Sequence, residues 1–250
     1  PIKIFIVSIH CKMNKITELA IEGIHPKWKV LLGTPGKDGR LLIDILDETI
    51  TKIIDLNVKL CPDNPRKILR CLHLDPDLIK VVIIGQDVYP QPGVATGLAF
   101  AVEDGKPSQP SLNILLREMW EEYGFPGGDD TFNSSLEQWE EQGVLLINTA
   151  LSCEQFKPGS HSKLWEPFFA ELMVILNNFK VTRESMTSMV FVFLGSRAYM
   201  FESEIGNTLH YKISRYHPAA ETYGGNKFTG FFKEVNKCLE ESNQEQISWI

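Results

Sequence analysis

Residues 79–90, IKVVIIGQDVYP, join an uninterrupted apolar run to a turn that carries glycine, a carboxylate and a tyrosine. Three similar runs follow along the chain: GVLLINTA (143–150), MVFVFLGS (189–196) and, more weakly, YKISRYHP (211–218). Apolar residues without polar alternation are typical of strands that are covered on both faces, as in a parallel sheet. We therefore predict four strands in one mainly parallel sheet.

Helix-like segments separate these runs, at 110–123, 134–142 and 163–179. Ser111 and Ser134 stand at the start of two of them and are candidate N-caps. Alternation of strands and helices is typical of α/β folds. The expected architecture is a three-layer sandwich, in which a central four-stranded sheet is flanked by helices.

Each predicted strand ends in polar or small residues. In open α/β sheets, ligands bind beyond the carboxyl ends of the strands. A turn or cap role explains any one of these strand ends, but four at one edge are harder to explain in that way. The edge would collect the pairs Gln86-Asp87, Asn148-Thr149, Gly195-Ser196 and His217-Pro218.

Composition leaves several function classes open. The 250-residue chain has a net charge of −7, which argues against a nucleic-acid partner. However, residues 101–145 alone carry ten acidic and two basic residues, so another surface can still meet phosphates. Five widely spaced cysteines without a CxxC pair predict a reducing, intracellular compartment rather than a disulfide framework. No apolar run reaches the roughly 18–20 residues that a membrane span needs.

Common cofactor and nucleophile motifs are absent from the sequence. The six histidines show no HxxxH or HxH spacing, and no carboxylate cluster matches a cation loop. Neither a GxGxxG turn nor a P-loop is present, and Ser196 lacks the GxSxG context of a hydrolase elbow. We therefore expect a site that needs neither a metal nor a cofactor.

Five motifs, in order and in register, resemble those of the family 1 uracil-DNA glycosylases. The segment 85–100, GQDVYPQPGVATGLAF, resembles the water-activating GQDPYH motif and the GLxF that follows it. The other matches are the Pro-rich loop KPSQPSLNILLREM (106–119), LEQWEEQGVLLINTALS (136–152), the Gly-Ser loop FLGSRA (193–198) and YHPAAET (216–222), which resembles HPSPLS. The resemblance implies a glycosylase domain over 26–250, preceded by an N-terminal extension or an added segment, 1–25.

The resemblance implies roles for the residues of the strand ends. Asp87 would orient the attacking water, and His217, helped by backbone N–H groups near Gln86, would stabilise the departing uracil anion. Phe100 would stack on the flipped base, Asn148 would read its edge, and Tyr89 would exclude a thymine methyl group.

The resemblance also implies DNA contacts. The partner would be uracil-containing DNA, single- or double-stranded, bound by a monomer without metal or cofactor. The residues that would contact DNA phosphates are Pro110, Ser111, Gly195 and Ser196. A modest basic excess over 193–237, six basic against four acidic residues, favours this side of the chain for DNA.

The chain departs from the family pattern in two loops. Val88 and Pro90 replace a Pro and a His in the water-activating motif, and Ala219 replaces a serine. Glu221 stands where an apolar wedge would fill the emptied base stack, so Tyr223 is an alternative wedge. The HPAA-type loop at 217–220 resembles that of the divergent glycosylases of large DNA viruses. Pro90, Glu221 and the extra sequence at 1–25 also motivate a second hypothesis, a DNA-binding replication scaffold with the same fold and secondary catalysis.

Overall fold

The computed structural model describes residues 13–125, 133–179 and 187–250. Residues 1–12 of the predicted extension lie outside these ranges. In chain order the elements are α1 (Lys15–Ala20), α2 (Pro26–Leu32), α3 (Leu42–Asp55), β1 (Leu60–Cys61), β2 (Val81–Asp87), α4 (Pro110–Tyr123), α5 (Glu137–Glu140), β3 (Val144–Ala150), β4 (Cys153–Glu154), α6 (Ser162–Phe179), β5 (Val190–Leu194), α7 (Ser196–Tyr199), β6 (Tyr211–Arg215), α8 (Pro218–Thr222) and α9 (Phe232–Glu241). Short 3-10 turns occupy Pro65–Lys67, Arg70–His73, Pro76–Leu78 and Glu202–Glu204.

The four predicted strands form one sheet in the order β3-β2-β5-β6, and every neighbouring pair is parallel. All residues of β3 and β5 are buried, as expected for strands that are covered on both faces. Helix α6 packs against β3 and α3, whereas α9 packs against β5 and α4. The predicted sandwich is confirmed.

Two expectations about helix starts are wrong. Helix α4 begins at Pro110 with Gln109 as its N-cap, so Ser111 lies inside the first turn. Proline favours the first helical position because its fixed φ suits the helix and its missing N–H would be unpaired there. The segment predicted as a helix from Ser134 contains only the single turn α5, because Leu136 adopts a left-handed φ of 56° and cannot continue a helix.

The N-terminal helices share the core of the sheet. Ala20, Ile24 and Trp28 are buried in the same cluster as β2 and α6. Asn14 caps α1 and its N–H donates to Asp47 Oδ1 of α3 at 2.9 Å. The packed region of the chain therefore extends N-terminal to residue 26.

A small β-ribbon lies beside the sheet. Strands β1 and β4 pair antiparallel, with Cys61 opposite Cys153. Val88 is buried in one small cluster with both cysteines, and the Cys61 and Cys153 thiols donate to the Pro90 and Val88 carbonyls at 3.3 and 3.7 Å. Val88 therefore makes an apolar contact between this ribbon and the turn that follows β2.

Candidate active site

A cavity of about 750 Å³ opens at the carboxyl edge of the sheet. Every predicted site residue except Glu221 lines it: Gln86, Asp87, Tyr89, Phe100, Pro110, Ser111, Asn148, Gly195, Ser196, His217 and Tyr223. The parallel register brings them together, since Gly85 of β2 pairs with Asn148 of β3 and Asp87 pairs with Ala150. The cavity is large enough to hold a nucleobase and its sugar.

Gly85 shapes the floor of the cavity. An added Cβ at this position would lie 2.3 Å from Asn148 Oδ1 and 3.2 Å from two carbons of the Phe100 ring. Asn148 is 4% exposed, and the short distance shows that its amide lies directly against the Gly85 backbone. Only glycine allows the strand to approach both side chains this closely.

Phe100 forms one wall of the cavity. Its backbone has a φ of 68°, in the left-handed region that bulky residues rarely adopt. Such strain, of order 1–3 kcal/mol, is retained where the surroundings impose it, often at functional sites. The Tyr89 hydroxyl donates to the Phe100 carbonyl at 3.0 Å, which ties the Tyr89 ring to the backbone that carries Phe100. Burial also raises the pKa of Tyr89, so its hydroxyl stays protonated.

The Asp87 carboxylate is held by a backbone group from another loop. The Gly159 N–H donates to Asp87 Oδ2 at 2.5 Å, and the other carboxylate oxygen, Oδ1, takes no part in that hydrogen bond. Burial raises the pKa of Asp87, while the Gly159 N–H and the charge of Arg197 lower it. A partly desolvated carboxylate whose one oxygen is already bonded is suited to orienting a water with the other.

His217 is a neutral ring with a defined proton position. Its Nδ1 accepts from the Ala219 N–H at 3.1 Å, where it caps α8. In the neutral ring the proton therefore sits on Nε2, which can donate to a ligand. Burial lowers the pKa of His217 to about 4. The ring centroid lies 5.7 Å from that of Phe100.

Gly195 has no side chain, which allows the loop that carries His217 to pack against the end of β5. Its φ is 92°, and an added Cβ would lie 2.7 Å from His217 Cβ. The Gly195 N–H donates to the Arg215 carbonyl at 2.8 Å, which joins the ends of β5 and β6. Ser196 then begins α7 at the exposed rim of the cavity. Across the rim, Pro110 and Ser111 form the first turn of α4.

Glu221, one of the two predicted wedge candidates, does not line the cavity. Its Oε2 accepts from Arg117 Nη2 at 3.0 Å and from the Phe228 N–H at 3.1 Å. The Arg117 hydrogen bond lowers the pKa of Glu221, so the carboxylate stays charged. Glu221 thus ties α8 to α4, because its charge is better paired with a guanidinium than directed at DNA. Tyr223, by contrast, lines the cavity and is 86% exposed.

Sequence reasoning missed the loop between β4 and α6. Phe156 and Pro158 of this loop line the cavity, and Gly159 holds Asp87. Gly159 has a φ of 73°, and a glycine at this position indicates a turn, but the sequence does not show that its N–H bonds Asp87.

Across the described ranges, no group of three or more His, Cys, Asp or Glu residues is placed to hold a metal ion. No helix within those ranges has the length and apolarity to cross a membrane.

Comparison with known proteins identifies relatives of the chain. It is 37% identical over 185 residues to the uracil-DNA glycosylase of Pseudomonas aeruginosa, a match that spans 73% of this chain and 76% of the relative. The uracil-DNA glycosylase of Streptococcus agalactiae is 35% identical over 187 residues, 74% of this chain and 81% of the relative. No protein-family profile matches the chain.

Solved structures show the same fold. The mimivirus uracil-DNA glycosylase superposes with a TM-score of 0.71 at 24% identity, covering 84% of this chain and 82% of that one. The glycosylase structure from Nitratifractor salsuginis gives a TM-score of 0.58 at 18% identity, covering 83% and 89%. The fold agrees with these structures, and the curated relatives show the family. This chain belongs to the uracil-DNA glycosylase family.

Proposed function

We propose that this protein hydrolyses the N-glycosidic bond of uracil in DNA, releases free uracil and leaves an abasic site, the first step of base excision repair. The observation that carries the proposal is the meeting of Asp87, Phe100, Asn148 and His217 around one cavity. A base inside a duplex cannot reach such a cavity, so the nucleotide must flip out of the stack.

Asn148 and Tyr89 select uracil. The Asn148 oxygen can accept from uracil N3–H while its amide donates to O4. Cytosine presents the opposite pattern and would leave buried polar groups unpaired, which is costly. The Tyr89 ring is fixed by its bond to Phe100 and fills the space that a thymine methyl group would need. Phe100 stacks on the base.

Two residues stabilise the opposite charges that develop on the sugar and on uracil during bond cleavage. As the N-glycosidic bond breaks, the sugar gains positive charge and uracil leaves as an anion. The His217 Nε2–H donates to uracil O2, which stabilises the anion without a strong acid. The Asp87 carboxylate stabilises the sugar cation and orients the water that attacks it. The Gly159 N–H supports Asp87, and Pro90 cannot do so because proline has no N–H and no side-chain donor.

Phosphate contacts compress the DNA backbone around the flipped nucleotide. Ser111 and Ser196, beside Pro110 and Gly195, lie at the rim where the strand enters. Contacts of this kind position the strand without reading its sequence. Tyr223 fills the gap that the uracil leaves in the base stack. We propose that the protein acts as a monomer on both single- and double-stranded DNA.

A release assay tests this function. Uracil-containing oligonucleotides, single- and double-stranded, are incubated with the protein in EDTA and free uracil is measured. We expect multiple turnover on both substrates, abolished in the double variant Asp87→Asn with His217→Gln. Full activity in that double variant would refute the assigned roles. DNA binding by the wild-type protein without release would instead favour the replication scaffold, which no described residue specifically supports. Sedimentation velocity tests the monomer.

A further inference from the structure

Phe156 is an exposed aromatic residue at the rim of the cavity. It is 70% exposed and lines the same cavity as Asp87, Pro90 and Tyr223. Its φ of 63° lies in the left-handed region, where bulky residues are outliers. An apolar ring in strained backbone that gains no burial is a feature that packing alone does not explain.

The loop that carries Phe156 is held on several sides. The Phe156 N–H donates to the Pro90 carbonyl at 2.8 Å, and the Gln155 N–H donates to the Lys59 carbonyl at 2.8 Å. Lys157 closes the loop through its N–H to the Glu154 carbonyl and through an ion pair of 2.8 Å. The ring is therefore presented from a fixed backbone, which lowers the entropy lost when it binds a ligand.

The position suits contact with the DNA strand on either side of the flipped nucleotide. Three residues farther on, Gly159 bonds Asp87, so Phe156 lies in the loop that borders the reacting sugar. Within the described parts of the chain, no other aromatic ring stacks on Phe156. Its open face can therefore receive a base.

Stacking suits this protein for an electrostatic reason as well. The chain has a net charge of −7, so phosphate attraction is modest. A base stacked on an aromatic side chain strengthens binding about 5- to 150-fold, whatever its identity, since every base has a π-face. This gain does not depend on salt, unlike that from a lysine or arginine.

We propose that Phe156 stacks on the base next to the flipped uracil in the same strand and so positions single-stranded DNA across the cavity. The proposal rests on the proposed uracil excision, since it places its ligand beside the flipped nucleotide. Single-stranded DNA should depend on Phe156 more than duplex DNA, because the neighbouring base in a duplex is already stacked and paired.

Binding of a labelled 11-nucleotide single strand with one central uracil tests the proposal. Fluorescence anisotropy is measured in the Asp87→Asn background, which prevents cleavage during the titration. We expect Phe156→Ala to weaken binding about 5- to 150-fold and Phe156→Trp to restore it, whereas Phe156→Leu should not. Phe125→Ala is the matched control, since Phe125 is 57% exposed but does not line the cavity. The slope of log Kd against log salt should be the same in all variants.

A second arm locates the stacked base. Abasic residues replace the 5′ and then the 3′ neighbour of the uracil. We expect one replacement to weaken binding of the wild-type ring strongly but to have little further effect in Phe156→Ala, because both changes remove the same contact. Effects that add fully at both positions would overturn the proposal, as would equal affinities for the Leu and Trp variants.

The failure of this proposal is distinguishable from failure of the proposed function. Uracil release by the wild-type protein is measured on the same oligonucleotide. Release by the wild-type protein together with unchanged binding in Phe156→Ala would overturn the stacking alone. Absence of release would overturn the excision. If the Ala variant does not fold, as judged by its melting temperature, the comparison of Trp with Leu decides the outcome.

Discussion

Acidification from pH 7.5 to 5.5 tests whether His217 works as a neutral ring. Burial lowers its pKa from the ordinary value of about 6.5 to about 4. At pH 5.5 such a ring is about 3% protonated, whereas a ring with the ordinary pKa would be about 90% protonated. Protonation at Nδ1 would also break the bond from the Ala219 N–H. We therefore expect His217 to keep its neutral state across this range.

The rate of uracil release does not isolate His217, because burial also raises the pKa of Asp87. Protonation of either group lowers the rate on acidification. A direct assay is NMR of the labelled histidine rings between pH 8 and pH 4. The His217 resonance is the one that the His217→Gln variant lacks. A midpoint near 6.5 for that resonance would refute the burial argument, and a midpoint below about 5 would support it.

Stability gives a second readout with a defined sign. Between pH 6.5 and 4, His217 is protonated in the unfolded state but stays neutral in the folded state. The free energy of unfolding therefore falls as the pH falls. The full shift corresponds to about 3 kcal/mol, an upper limit because the ring faces an open cavity. Urea unfolding at pH 7 and pH 5 should show a smaller loss in His217→Gln than in the wild type. Equal losses of stability in the two proteins would show that groups other than His217 cause the pH dependence. The same variant should release uracil about 10²- to 10³-fold more slowly at neutral pH.

Three further predictions concern residues around the cavity. Gly85→Ala would place a methyl group 2.3 Å from Asn148 Oδ1, so single-turnover release should fall at least about 100-fold, while the melting temperature reports whether the fold survives; near-normal release would contradict the close packing. Tyr89→Ala should permit measurable thymine release from T:G duplexes and Tyr89→Phe should not, and thymine release by the Phe variant alone would exclude a steric gate. Glu221→Gln removes a half-exposed ion pair with Arg117, so stability should change by less than about 1 kcal/mol while KM for DNA rises; an unchanged KM would show that the pair does not position the wedge loop.

Local pattern was enough to predict the sheet. Four apolar runs correspond to β2, β3, β5 and β6. A strand that is buried on both faces needs apolar residues at successive positions, so it can be recognised from its own sequence. The long helices at Pro110–Tyr123 and Ser162–Phe179 correspond to the helix-like segments predicted at 110–123 and 163–179. The helix predicted from Ser134 was wrong, because one left-handed residue, Leu136, interrupts the helix-like pattern.

Sequence by itself determined which residues stand at the strand ends, and the resemblance of motifs determined the family. Only the tertiary structure decided which loops meet there. Gly159 reaches Asp87 across 72 residues of chain, and Glu221 reaches Arg117 across 104. The same holds for Phe156, whose ring reaches the cavity because its backbone bonds Pro90. These contacts depend on how separate elements pack, and a single polar or glycine residue leaves no periodic signal from which its distant partner can be predicted.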